Sequence, residues 1–179
     1  MTDRPDAAAL RSITCLSELT GSEAAAAASR LVPRRLAPGE VLFRQGDPGD
    51  SVYVLASGEV EVRVGGADAE HHLATLASGT FIGEFALLVD EVRTRSVVGR
   101  TEAELWEVNR GVFEDALGAG EPWAARFLMA IARELARQML AIDQQLVALL
   151  EDGGPHAEPV ARVRELEKLR RQLSGEWSF

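Results

Sequence analysis

The sequence has few residues of the kinds that build disulfide-held or metal-held sites. Its 179 residues include one cysteine, Cys15, and three histidines. A lone thiol cannot form an internal disulfide and gives a metal ion no second soft ligand. Cys15 lies among apolar neighbours, which predicts a buried structural thiol. His71 and His72 are adjacent, so on a strand they would face opposite ways and could not readily share a metal. We therefore expect neither a metal site nor a resident cofactor.

Long apolar runs and positive charge are also scarce. No run approaches the ~20 apolar residues that span a bilayer, and the polar first residues are not followed by the apolar core of a signal peptide. We expect a cytoplasmic protein that does not contact membranes. The net charge of −9 argues against a general nucleic-acid binder, because phosphate contacts need clustered Lys and Arg. The sequence contains no Ser/His/Asp or Cys/His catalytic set and no P-loop. We therefore expect a protein that is not an enzyme.

The pattern of the chain divides it into four segments. Residues 1–12 are assigned to an N-terminal tail, while the pattern from Ala7 to Leu31 reads as helical, with Ser22 as the N-cap of its alanine-rich run. Between residues 33 and 108, short alternating apolar stretches are separated by Gly and Pro turns, as in antiparallel β-rolls and jelly rolls. This predicts an α+β fold, with an antiparallel β-roll over residues 13–120 flanked by N-terminal helices. A long C-terminal helix covers 121–152 and is opened by Glu121-Pro122, because proline fits the first turn of a helix; residues 153–179 form a linker and a short helix.

Apolar residues recur along the long helix with heptad spacing. The residues of this seam are Leu128, Ala132, Leu135, Met139, Ile142, Leu146 and Leu149. Such a seam pairs helices, so we expect a homodimer through residues 128–149. The alternative is a helix that packs its apolar stripe on its own β-roll, for which this helix is longer than needed. The segment 158–174 has a smaller apolar face, and its role is left open.

One short segment combines the groups that a phosphate monoanion needs. Gly83 lets the backbone approach a ligand closely, and one turn of helix after Glu84 would aim unpaired N–H groups at one spot. Arg93 can return to that spot on the next strand, where its guanidinium gives two parallel hydrogen bonds to phosphate. Glu84 fits such a site if it accepts a hydrogen bond from a hydroxyl. Without further context the same residues describe a tight turn and a surface ion pair.

The surrounding sequence resembles a known family. Residues 81–98 resemble the phosphate-binding cassette of the cyclic-nucleotide-binding domain family. In that cassette, Gly-Glu is followed by one apolar residue, one small residue and an apolar pair, and then by a short loop and an Arg. The matching residues here are Gly83, Glu84, Phe85, Ala86, Leu87, Leu88 and then Arg93, Thr94 and Val97. The similarity extends over about residues 13–139 and includes the lead helix and the long helix.

The resemblance implies a role for each matched residue. Glu84 would bind a ribose 2′-OH, Arg93 the cyclic phosphate, and the amides near Phe85 and Ala86 the remaining phosphate oxygens. Thr94 follows the arginine as in many guanosine-selective members, where its hydroxyl reaches the phosphate and the guanine edge.

The base would lie against apolar positions that fall on Val62 and Leu73. Gln138 stands where the bacterial catabolite activator has a hydroxyl that reads adenine. The sequence departs from the pattern at Asp90 and Glu91, whose charge would weaken anion binding unless it points outward.

These expectations describe a dimeric sensor of cAMP or cGMP. Many bacterial relatives carry a helix-turn-helix after the long helix, whereas the tail here has nearly balanced charges and no strand pair, so we expect no direct DNA binding. The C-terminal helices would pass the signal to an unidentified protein effector. The alternative is a ligand-independent oligomerisation or scaffold protein built on a degenerate cyclic-nucleotide-binding fold.

Overall fold

The structure, a computed structural model, describes residues 4–65, 71–89 and 92–152. A short 3₁₀ turn, Thr14–Leu16, follows the first helix. The helices described are α1 (Ala7–Ser12), α2 (Gly21–Arg30), α3 (Phe85–Leu88), α4 (Arg110–Gly118) and α5 (Pro122–Asp152). The strands described are β1 (Val32–Leu36), β2 (Val41–Phe43), β3 (Ser51–Ser57), β4 (Glu59–Val64), β5 (His71–Ala77), β6 (Phe81–Ile82), β7 (Ser96–Gly99) and β8 (Ala103–Asn109).

The strands form two four-stranded antiparallel sheets that share one core. Their orders are β1-β8-β3-β6 and β2-β7-β4-β5. Alternating residues of both sheets are buried together, and burial of their apolar surface is the main force that holds the sheets face to face. The core residues are Leu36, Leu42, Tyr53, Leu55, Val60, Val62, Ile82, Val97, Ala103 and Leu105. The predicted α+β fold, an antiparallel β-roll with helices at both ends, is confirmed.

The N-terminal part of the chain is helical. Helix α1 starts at Ala7, where the helical pattern of the sequence begins, and its Leu10 is fully buried. The N-cap of α2 is Thr20 and not Ser22, so that prediction was wrong. Thr20 Oγ1 accepts a hydrogen bond from the Glu23 amide, and the Glu23 carboxylate accepts one from the Thr20 amide. This reciprocal capping box satisfies two backbone donors at the helix start, which a cap at Ser22, two residues later, would leave unpaired.

An aromatic cluster joins the start of α5 to the β-roll. The rings of Phe113 on α4, Trp123 and Phe127 on α5, and Phe81 on β6 are in edge-on or tilted contact, with centroids 5.1–6.2 Å apart. Trp123 and Phe127 are fully buried. These large apolar side chains fix the first turns of α5, which opens at Pro122 as predicted, because proline fits the first turn of a helix.

The chain divides into two compact units, residues 1–134 and 135–179, and α5 crosses the boundary. In the described part of the second unit, Met139 and Ile142 of the predicted seam are 55% and 42% exposed. The side chains of Leu146 and Leu149, and the whole of residues 153–179 with the predicted short helix, lie outside the described residues. Among the helices that the structure describes, none has the length and apolar character to cross a membrane.

Candidate ligand site beside strand β6

The chain turns sharply between β6 and α3. Gly83 has a φ of +75°, in the left-handed region that glycine adopts without strain. A Cβ at this position would overlap Nη1 of Arg93, so a larger residue would displace the guanidinium. Glu84 then precedes α3 as its N-cap residue. The amides of Phe85 and Ala86 begin the helix, where intrahelical acceptors are lacking.

Two sets of hydrogen bonds hold Arg93 beside this turn. Its backbone N–H donates to Asp47 O and its carbonyl accepts from the Gly46 amide, both at 2.8 Å. The side chain is only 4% exposed. Nη1 donates to Ser51 O at 2.8 Å and to Gly83 O at 3.3 Å, while Nη2 donates to Ser51 Oγ at 3.0 Å. The guanidinium is therefore fixed against β3 and the turn after β6.

The positive charge of Arg93 faces two aromatic rings. Its Cζ lies 4.2 Å from the ring centroid of Phe43 and 5.8 Å from that of Tyr53, as in cation–π contacts. Within residues 4–65, 71–89 and 92–152 it forms no ion pair, and its Nε is buried without a hydrogen-bond partner. Burial lowers the pKa of the Arg93 guanidinium, an effect that Tyr53 and Asp50 oppose. Arginine nevertheless stays protonated at neutral pH.

Glu84 places a second buried polar group beside the turn. Its side chain is 9% exposed and makes no capping hydrogen bond to α3. Burial raises the pKa of the Glu84 carboxyl, and Glu134 also raises it, while Arg95 and Arg93 lower it. A buried carboxylate gains most from a donor that satisfies its oxygens, and a hydroxyl of a ligand would be such a donor.

The remaining residues expected at the site lie at different depths. Thr94 is partly buried and directly follows Arg93. Val62 on β4 is 8% exposed and belongs to the core. Strand β4 pairs with β5, with Val62 opposite Ala74, and the register of the two strands shifts before the next pair. Leu73 falls at this irregularity and is 49% exposed, so the partner of Val62 on the inner face is Ala74.

Gln138 lies on α5 in the second unit, where its side chain is exposed.

Among the described residues, no group of three or more His, Cys, Asp and Glu could hold a metal ion. Cys15 is partly buried, and this burial raises its thiol pKa to about 12. Its thiol is therefore protonated at neutral pH and unreactive.

The sequence did not reveal the groups that hold Arg93. Phe43, Ser51 and Tyr53 surround the guanidinium, yet the motif contains none of them. Strand alternation puts Ser51 and Tyr53 on one face of β3, which was the one available signal. Their meeting with Arg93 is a contact between residues about 40 positions apart, and local patterns do not encode such contacts.

The fold and the site together define a β-roll domain that presents a buried arginine, a tight glycine turn and a short helix at one place. Comparison with known proteins agrees. The family described as "Cyclic nucleotide-binding domain" matches residues 33–119. A cAMP-dependent protein kinase regulatory subunit of Pyricularia oryzae is 37% identical over 113 residues, which are 63% of this chain and 28% of that protein. The chain thus spans little more than a quarter of that relative.

Solved structures give the same result. The N-terminal domain of a transcriptional regulator from Streptomyces coelicolor has a TM-score of 0.61 and 30% identity, over 75% of this chain and 94% of that one. The catabolite activator protein of Thermus thermophilus has a TM-score of 0.60 and 30% identity, over 79% and 72% of the two chains. The chain belongs to the cyclic nucleotide-binding domain family.

Proposed function

We propose that the chain binds a cyclic nucleotide, cAMP or cGMP, with its phosphate on Arg93 and on the amides at the start of α3. One observation carries the proposal: Arg93 is a nearly fully buried cation that forms no ion pair with the residues described, and its Nε has no hydrogen-bond partner. A buried charge without a counter-charge is costly. A phosphate diester would supply both the missing charge and an acceptor for Nε.

The neighbouring groups fit the rest of the ligand. Glu84 would accept a hydrogen bond from the ribose 2′-OH, which offsets the cost of burying its carboxylate. Thr94 would add a hydroxyl near the phosphate, and Val62 and Leu73 would contact the base, with Ala74 beside Val62. Gln138 would contact the purine edge. The cAMP-dependent regulatory subunit among the relatives supports a cyclic mononucleotide as the ligand class.

The signal would leave the domain through α5. We include in the proposal a homodimer formed along residues 128–149, because Met139 and Ile142 lie on one face of the helix and are exposed. Two helices paired at heptad spacing bury such a face. The dimer would pass the ligand state to a protein effector through the C-terminal helices. A cytoplasmic location, a role without catalysis and the absence of DNA or membrane contacts belong to the same proposal.

A ligand-independent scaffold is the second candidate. It is favoured by the three hydrogen bonds that Arg93 already donates to Ser51 and Gly83, because they satisfy part of the guanidinium without any ligand. In that case the β-roll would serve as a rigid spacer and the exposed face of α5 as the active surface.

A thermal-shift comparison separates the two functions. The purified chain is heated alone and with cAMP, cGMP, 5′-AMP and 5′-GMP, each at 1 mM. A ligand that binds only the folded state raises the melting temperature. The sensor predicts a rise with one or both cyclic nucleotides and a smaller rise with the monophosphates. An unchanged melting temperature with all four contradicts the sensor and supports the scaffold.

A further inference from the structure

The turn between β2 and β3 contacts both the start of β7 and the hairpin between β4 and β5. Gln45 lies in this turn and makes both contacts. Its backbone N–H donates a hydrogen bond to Ser96 Oγ at 3.1 Å, and its side-chain Oε1 accepts one from the Gly65 amide, also at 3.1 Å. Ser96 is the first residue of β7 and is 3% exposed, whereas Gly65 directly follows β4. One residue therefore connects β7 with the hairpin.

The backbone around Gln45 is held by hydrogen bonds on both sides. The Arg44 N–H donates to Asp47 Oδ2 at 2.8 Å, and the Asp47 N–H donates to Arg44 O at 3.1 Å. An aspartate that bonds a nearby backbone N–H in this way stabilises a tight turn. The hydrogen bonds that join Gly46 and Asp47 to the Arg93 backbone attach this turn to the cassette. The Gln45 side chain thus begins from a fixed backbone.

The hairpin extends beyond the end of the strand beside it. The pairing of β4 with β7 ends at Arg63 and Ser96, so Gly65 lies two residues past this pairing. The hydrogen bond from Gly65 to Gln45 attaches the hairpin where β7 no longer does. Val62, one of the proposed base contacts, lies three residues before Gly65 on the same hairpin. The Gln45 side chain therefore joins the phosphate side of the proposed site to its base side.

Such a connection matters for a ligand that contacts both sides. A cyclic nucleotide joins its phosphate and its base through one ribose ring, so the two ends lie at a nearly fixed separation. A hairpin that becomes ordered only on binding loses conformational entropy at that moment, and this loss weakens affinity. A hydrogen bond that orders the hairpin beforehand removes part of the loss. The proposed phosphate contacts, Arg93 and the amides of α3, lie outside the hairpin, so the gain belongs to the base.

We propose that Gln45 is a positioning residue that holds the β4–β5 hairpin in place for the base of a cyclic nucleotide. It would raise the affinity for a cyclic phosphate that carries a base and leave the affinity for one without a base unchanged. This inference rests on the proposed function and extends it to a residue outside the cassette.

The test uses two ligands, cAMP and ribose 3′,5′-cyclic phosphate, which lacks the base. Calorimetric titration of the full chain gives the dissociation constant of cAMP, and displacement of cAMP gives that of the ligand without a base. The ratio of the second constant to the first measures what the base contributes. Gln45 is exposed, so substitutions at this position remove no buried side chain.

Two variants of similar length differ in whether they keep the acceptor. Gln45→Met removes it, and the base ratio should fall about 2- to 12-fold below that of the wild type, as for one hydrogen bond. Gln45→Glu keeps an acceptor oxygen, and its ratio should stay within about twofold of the wild type. The charge that Gln45→Glu adds acts on the phosphate of both ligands alike, so it cancels in the ratio.

Hydrogen exchange tests the attachment of the hairpin without any ligand. In Gln45→Met, the Gly65 amide should exchange about 2- to 12-fold faster than in the wild type, because the bond that protects it is gone. The amides of β3 and β8, which lie in the other sheet, should exchange at wild-type rates. In Gln45→Glu, the Gly65 amide should keep its protection.

Each outcome decides the inference. A wild-type base ratio in Gln45→Met, or the same fall in Gln45→Met and Gln45→Glu, overturns the role of Gln45. Equal weakening of both ligands by Gln45→Met overturns it too, because the residue would then act on the phosphate side and not on the base. A wild-type chain that binds neither cAMP nor cGMP contradicts the proposed function itself, and the inference falls with it.

Discussion

Replacement of Arg93 by methionine removes the charge of the candidate site while it keeps much of the side chain's volume. The unbranched methionine side chain can continue to pack on the Phe43 ring, which lies 4.2 Å from the guanidinium carbon. Loss of a buried counter-charge costs about 2–5 kcal/mol of binding free energy. This corresponds to a dissociation constant about 30- to 5,000-fold higher at 25 °C.

The same change should affect folding much less. The variant loses three hydrogen bonds, two to Ser51 and one to Gly83, each worth about 1 kcal/mol net. It also removes a buried cation, and replacement of buried charges by apolar groups of similar volume is often neutral or stabilising by about 1–4 kcal/mol. We therefore expect the free energy of unfolding to change by no more than about 2 kcal/mol.

Calorimetric titration and urea unfolding of Arg93→Met measure the two effects separately. Arg100→Met is the matched control, because Arg100 is exposed and its side chain contacts Glu59 and Thr75, away from the turn at Gly83. Its affinity should equal that of the wild type. A folded Arg93→Met variant that binds cyclic nucleotide with wild-type affinity would refute the assignment of the phosphate to Arg93.

Three further predictions test other parts of the account. Gly83→Ala should weaken ligand binding and lower the melting temperature more than Gly39→Ala, because both have φ near +80° but only at Gly83 would the added Cβ overlap the guanidinium. Burial raises the pKa of Glu84 above its ordinary value of 4.5, so the unfolded chain releases this proton first and the folded chain loses stability as the pH rises from that value. In urea unfolding, the free energy of unfolding of the wild type should fall relative to that of Glu84→Gln as the pH rises from 4.5 to the raised pKa of the folded state. The same pH dependence in both proteins would exclude the effect. For the proposed dimer, sedimentation should give a monomer for Ile142→Glu and a dimer for Gln144→Glu, whose side chain lies off the predicted seam; a wild-type monomer would contradict the pairing.

Local patterns predicted the elements of the β-roll well. The apolar triplet at 41–43 coincides with β2, and the start of α5 at Pro122 follows from the fit of proline to a first turn. The alternation of residues 60–64 marks β4, in which Val60 and Val62 are buried. Such features depend on neighbours along the chain, so the sequence displays them directly.

Long-range features of the fold were not predictable in this way. The sequence did not indicate which strands share a sheet, or that a register shift in β5 would expose Leu73 and bring Ala74 opposite Val62. The capping box at Thr20 was missed because Ser22, two residues later, is also of a type that caps helices. The residues that surround the Arg93 guanidinium, Phe43, Ser51 and Tyr53, were not predicted because they come from separate strands.

Arg93 is buried and forms no ion pair with the residues that the structure describes, and we propose it as the counter-charge of a cyclic phosphate. The most direct test of this proposal is titration calorimetry of cAMP and of cGMP into the purified chain, with 5′-AMP as the acyclic comparison. We expect saturable heat with at least one cyclic nucleotide at a stoichiometry of about one per chain, as for a single site, and weaker binding of 5′-AMP. The absence of binding heat with both cyclic nucleotides, together with unchanged melting temperatures, would contradict it.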